Sequence, residues 1–134
     1  MSNRTHVRQA AVAVLKDEFS NLSVSDNALI KFDAESDQLV VIINSDSLEG
    51  DVDLDGGGQK NILLSVQTAS TAPNQQDVID ERLARVQDVL MREEFLESAG
   101  AVSGSYEGYD FDVDESYAIG VATFTIVIYE TGGI

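Results

Sequence analysis

An α+β fold, with a mostly antiparallel sheet of about five strands packed against two helices in the order α-β-β-β-α-β-β, follows from three features of the chain. Two stretches, Val7 to Leu22 and Ile79 to Leu96, repeat apolar residues at spacings of three and four, the period of a helix stripe. The segments between and after them carry β-branched runs and two-residue alternation instead. Clusters of Ser, Asn, Asp, Gly and the single Pro73 separate the two kinds of segment. With 134 residues, a single domain over residues 1–134 is expected, large enough to bury a core. A content of 43% hydrophobic and 24% charged residues is that of a folding chain rather than a disordered one.

The first helix is predicted over Thr5 to Ser20, where Val7, Ala11, Leu15, Phe19 and Leu22 form one stripe. Asn21 to Asn27 is rich in residues that bond their own backbone, and it ends the helix and leads into extended chain. Three strands are expected next: Ala28 to Phe32, the β-branched run Leu39 to Ile43, which reads as buried on both faces, and Ile62 to Gln67. Residues 44–60 hold five acids and four glycines and read as a long acidic arm, because a stretch of that length without its own core is uncommon inside a compact domain. Asn74 is the expected N-cap of a second helix, with Asp77 favourable to its dipole. Its stripe, Ile79, Leu83, Val86 and Leu90, is extended by Phe95 and Leu96 until Ser98-Ala99-Gly100 stops it, giving one helix of about 30 Å. Ala101 to Tyr106 is a short strand, Gly108 to Glu115 an acidic connection, and Tyr117 to Tyr129 a long strand. In that last strand Phe124, Ile126 and Ile128 share one face, while Val121, Val127 and Tyr129 share the other. Glu130 to Ile134 is expected to be an exposed tail.

Composition removes most familiar chemistry. There is no cysteine, which excludes disulfides, thiolate nucleophiles and cysteine metal sites, and His6 is the only histidine, which excludes multi-histidine metal sites. No apolar run reaches the length of a membrane span, and Met1 to His6 lacks the apolar stretch of a signal peptide, so an unexported, non-membrane protein is expected. Twenty-four acids against eight Lys and Arg give a formal charge of -16, which opposes binding to nucleic acid phosphates. Fourteen of the acids are Asp, spread over helices, loops and strands, a solvation pattern that points to an extreme halophile, since strong salt shortens the Debye length to ~3 Å and screens the self-repulsion. An acidic mesophile protein is the alternative, and a melt in low and multimolar salt separates the two.

Several acidic patterns invite a chemical reading. Asp51, Asp53 and Asp55 followed by Gly56 match the first half of a helix-loop-helix calcium loop. The second half fails, because Ile62 stands where a bidentate Glu is needed and Gly58 where an apolar residue is needed, so a solvated arm is the simpler reading. Asp110, Asp112 and Asp114 alternate and would project from one face of an extended segment, where they suit a charged strand edge that discourages wrong pairing. Asp80 and Glu81 are expected to pair with Arg85 or other i+4 neighbours, and His6 to be an exposed side chain. Gly56-Gly57-Gly58 reads as a flexible tip, since Lys60 follows it without the Ser/Thr and strand-to-helix context of a phosphate loop. A carboxylate pair acting as acid and base would need a cleft, and the few aromatics argue against one that takes a sugar. No catalytic, cofactor or metal residue is assigned, and no enzyme activity is expected.

The opening helix around Arg8-Gln9-Ala10-Ala11-Val12-Ala13-Val14-Leu15, the strand Leu39-Val40-Val41-Ile42-Ile43 before a polar arm, the helix from Asp77 to Leu90, and the closing Ala122 to Glu130 together resemble one family. It is that of the tail terminator and tail completion (head-tail joining) proteins of long-tailed bacteriophages and of archaeal, including haloarchaeal, tailed viruses. The likeness covers nearly the whole chain and lies in size and element order rather than in an invariant motif. It implies a virion structural protein of the neck or tail: a ring, commonly hexameric, that terminates the tail tube and joins it to the head connector while DNA passes through. The implied partners are further copies of the chain, the tail tube protein and the head-tail connector protein, with no specific nucleic-acid binding, no membrane and no cofactor. The implied location is the virion, after synthesis in the host cytoplasm. The arm would reach a neighbour or the tube, so deleting Glu49 to Gly58 is expected to spare the fold and abolish assembly. Two alternatives stand beside this: another neck or head-tail connector component, and a small acidic calcium-binding module whose heat of calcium binding would vanish in Asp53→Asn.

Overall fold

The computed structural model describes residues 3–26, 38–49, 58–70, 74–113 and 118–130. In chain order the elements are α1 (Asn3–Glu18), β1 (Ser23–Ser25), β2 (Gln38–Glu49), β3 (Gly58–Ser70), α2 (Gln75–Leu90), α3 (Glu93–Ser98), β4 (Ala101–Val113) and β5 (Ala118–Glu130). The strands form one five-stranded sheet in the order β1-β2-β3-β5-β4. The β1–β2 pair is parallel and the other three pairs are antiparallel, so the α+β, mostly antiparallel expectation holds.

All three helices lie on one face of this sheet. Val7, Ala11 and Leu15 of α1 and Ile79, Leu83, Val86 and Leu90 of α2 are buried, as their spacing requires. They meet Leu39 and Val41 of β2, Ile62, Leu64 and Val66 of β3, and Ala122, Phe124 and Ile126 of β5. Each large apolar side chain removed from water in this layer contributes roughly 1.5–3 kcal/mol. In β2 the neighbours Val40 and Ile42 point to the other face, where Val40 is buried and Ile42 half-buried, so the run is covered on both faces around Val40, as its sequence predicts, while the described helices lie on one side only.

Four expectations are corrected. The second helix is not continuous: α2 ends at Leu90, Arg92 is extended, and α3 starts at Glu93. The reason is legible in the stripe itself. Continued past Leu90 at steps of three and four, it would bury Glu93, Glu94 and Glu97; the break turns the chain so that Phe95 and Ala99 enter the core and those three acids stay exposed. Gly100, at φ 71°, closes α3, and its N–H bonds the Glu97 carbonyl. Asn74 does stand at the N-cap of α2, but its side chain makes no capping hydrogen bond.

Within the expected arm, residues 44–49 and 58–60 are strand rather than loop. β2 runs on to Glu49 and β3 begins at Gly58, with Ser45 opposite Leu63 and Glu49 opposite Gln59, after a register shift between Ile43 and Ser45. Residues 50–57, with Asp51, Asp53 and Asp55, lie outside the described residues. The acidic connection after Tyr106 is likewise strand: β4 continues to Val113 and pairs with β5 up to Ala118. Finally, β1 forms at Ser23–Ser25, within the segment expected to end the helix, and pairs with residues 38–40. The strand expected at 28–32, together with Asp114 and the tail at 131–134, lies outside the described residues.

The strands of the β3–β5–β4 unit are 13 residues each, about 43 Å long, whereas α1 and α2 of 16 residues reach about 24 Å. The helices therefore cover part of one sheet face and leave the hairpin end, where Gly58 pairs with Glu130, beyond them.

Candidate functional site

The face of the sheet opposite the core carries none of the described helices. Cross-strand partners share a face, so the register assigns its members: Leu63 opposite Thr125, Ser65 opposite Thr123, Gln67 opposite Val121, Ala69 opposite Ile119, with Val40 and Ile42 on β2 and Val127 and Tyr129 further along β5. At its centre the face is β-branched and hydroxyl-bearing. Val40, Ser65 and Ala69 are buried, Leu63, Val121 and Val127 are half-buried, and Tyr129 is 52% exposed. Four adjacent strands of this length present roughly 40 Å by 20 Å, or about 800 Å².

Its border is acidic. β4 is an edge strand, and on this same face it presents Asp110 opposite Val121 and Asp112 opposite Ile119, both exposed, as expected of a charged strand edge. Glu107 stands at the register shift between Tyr106 and Gly108, where hydrogen bonds from the Ser105 and Thr125 hydroxyls hold its carboxyl below the usual carboxylate range.

Four arginines, by contrast, are engaged in the helix layer and at its seams. The Arg85 guanidinium lies 4.3 Å from the centre of the Phe19 ring and donates to the Glu18 carbonyl at 2.9 Å, with the Glu18 carboxylate at 3.6 Å. Arg82 donates to Thr68 Oγ1 and to the Ala69 carbonyl, tying α2 to the end of β3. Arg92 pairs with Asp88, which raises its pKa further, and lies 3.8 Å from Glu18; Arg8 pairs with Asp26. The expected pairing of Asp80 and Glu81 with Arg85 is thus corrected, because the α1–α2 seam captures Arg85. Asp80 instead accepts a hydrogen bond of 2.6 Å from the Tyr109 hydroxyl on β4. His6 is exposed, as expected, and its Nε2 donates to the Ser98 carbonyl at 2.9 Å, linking α1 to α3.

Among the described residues no group of three or more His, Asp or Glu gathers to hold a metal ion. Among the described residues no helix is long and apolar enough to cross a membrane. Sequence reasoning missed three positions. Gly120 faces α2 so closely that a Cβ there would sit 2.3 Å from Ile79 Cγ2 and 2.9 Å from Leu83 Cδ1. An isolated glycine inside a strong strand pattern is the signal for such an approach. Tyr106 and Tyr109 are three residues apart and yet share the helix-side face, opposite Phe124 and Ala122, because the irregularity at Gly108 (φ 154°) lies between them.

No family model and no curated protein matches this chain. Among solved structures, a chain in the virion of a native gene transfer agent particle shares its fold with a TM-score of 0.52 at 14% identity, over 94% of this chain and 93% of that one.

Proposed function

We propose that this chain is a structural protein of a tailed virus-like particle, placed in the neck or tail, where copies form a closed ring, commonly of six, that terminates the tail tube and joins it to the head connector. The observation that carries the reading is a fold shared nearly end to end with a virion chain, combined with a sheet that has all the described helices on one face. About 800 Å² on one partner is the size of a standard stable interface. A second copy of this chain is the occupant that suits it, since the half-buried Leu63, Val121 and Val127 match the mixed apolar and polar character of such surfaces. A head-to-tail contact of this kind closes into a ring when its rotation closes.

In that ring Glu107, Asp110 and Asp112 on β4 border the channel, and the net charge of -16 keeps passing DNA from adhering. The protein acts by shape and charge and catalyses no reaction. The acid excess suits assembly in strong salt, where repulsion between copies is screened. Negative-stain images of the purified protein in multimolar salt test the reading: closed rings with an open channel are expected, and a field of single small particles contradicts it.

A further inference from the structure

The geometry points to a binding site for an arginine side chain of a partner protein in the recess between α2 and β4, lined by Asp80, Leu83, Ala84, Gln87, Tyr106 and Tyr109. The recess has a volume of about 160 Å³, room for a guanidinium and part of its stem where a water takes roughly 30 Å³. Both tyrosine rings remain open to an incoming group, Tyr106 being 39% and Tyr109 36% exposed. Tyr106 is backed by Phe124, ring centre to ring centre 5.6 Å, so its inner side is packed and its outer side is available.

The polar part of the recess is already oriented. The Tyr109 hydroxyl donates to Asp80 Oδ1 at 2.6 Å and accepts from the Gln76 side chain. Burial and the Asp80 carboxylate push its pKa up to about 12, so the hydroxyl stays a donor at any physiological pH. Asp80 lines the recess, and its carboxylate is the acceptor that a planar, doubly donating cation can use, while the ring faces supply cation–π attraction. None of the lining residues is basic.

The molecule contains its own precedent for this combination. On the other side of α2, Arg85 lies over the Phe19 ring with the Glu18 carboxylate and carbonyl beside it, a ring and a carboxylate satisfied by one guanidinium. The β4 side offers two rings and a carboxylate with no arginine of the described chain in place. A net charge of -16 favours approach of a cationic partner segment. This site is separate from the open sheet face and does not depend on ring formation.

The test is an NMR titration of the full chain with N-acetyl-arginine amide, using N-acetyl-citrulline amide as the uncharged control of the same shape. A saturable shift of the Tyr106 and Tyr109 ring resonances with the arginine compound is expected. The affinity should drop at least about tenfold in Asp80→Asn, whose carboxamide oxygen still accepts from Tyr109 and so spares the fold. Tyr106→Leu, which keeps apolar cover over Phe124, should also weaken it. The absence of a saturable shift, a shift that citrulline reproduces, or one undiminished in Asp80→Asn would overturn the proposal.

Discussion

The two faces of one sheet have been built to opposite rules. On the helix side, β3 contributes Ile62, Leu64 and Val66, all fully buried, and the neighbouring arginines are spent on seams between elements. On the other side the alternate residues of the same strand, Asn61, Leu63, Ser65 and Gln67, mix apolar, hydroxyl and amide groups beside an acidic edge. One face is a core that specifies a monomer's fold; the other has the composition of an interface, adequate for packing against a partner and tolerable in water before it arrives. Under the proposed function, the difference separates what the chain needs in order to fold from what it needs in order to assemble.

Substitutions can break that separation at graded cost. Gly120→Ala strikes the covered face hardest, since the added methyl must push Ile79 and Leu83, and with them α2, off β5; a loss of about 3 kcal/mol is expected. In a chain of this length that is a fall in Tm of roughly 10 °C, and an unchanged melt would show that α2 is not seated on Gly120. The adjacent pair Leu64 and Leu63 sharpens the contrast further: Leu64→Ala should cost about 3 kcal/mol in chemical denaturation, and Leu63→Ala less than about 1 kcal/mol, because only the first leaves a cavity. Equal costs would mean that the second face is packed as a core within the monomer.

Salt acts on both faces through the charge. Moving from multimolar salt to about 0.01 M lengthens the Debye length from ~3 Å to ~30 Å, so the melting temperature should fall as the acids begin to repel one another. A melt indifferent to salt would remove the halophilic reading. The smallest effect is expected at the joint between α2 and β4, where Tyr109→Phe deletes one partly exposed hydrogen bond worth about 1 kcal/mol. Because the Tyr109 pKa is raised from 10 to about 12, the folded state holds this proton more tightly than the unfolded chain does. Its stabilising contribution is complete below pH 10 and disappears as pH rises through 12; melts across that range should show a steeper alkaline decline for the native chain than for the Phe variant.

The helix-side layer could be read in advance because it is periodic. Val7, Ala11 and Leu15, or Ile79, Leu83 and Val86, define a face without knowledge of any neighbour. The break between α2 and α3 was equally present, in the three glutamates that a straight helix would have buried, but it shows only when the stripe is continued past Leu90. The hairpin extension at 45–49 and 58–61 carries no such signal, since its sequence has no sustained hydrophobic alternation, and acids with glycines then resemble a loop. The meeting of Tyr106 and Tyr109 with Asp80 depends on a register shift, and regular alternation places residues three apart on opposite faces; Gly108 is the one local hint. The open face is the least legible of all, because an interface side chain and a solvated one differ by a partner that the chain alone does not contain.

Light scattering of the native chain and of Leu63→Asp, side by side in multimolar salt, tests that division most directly. The expected result is a native assembly of about six copies and a variant that melts near the native monomer and yet scatters as a single chain. A Leu63→Asp variant that assembles like the native protein, or a native chain that stays solitary in strong salt, would contradict it.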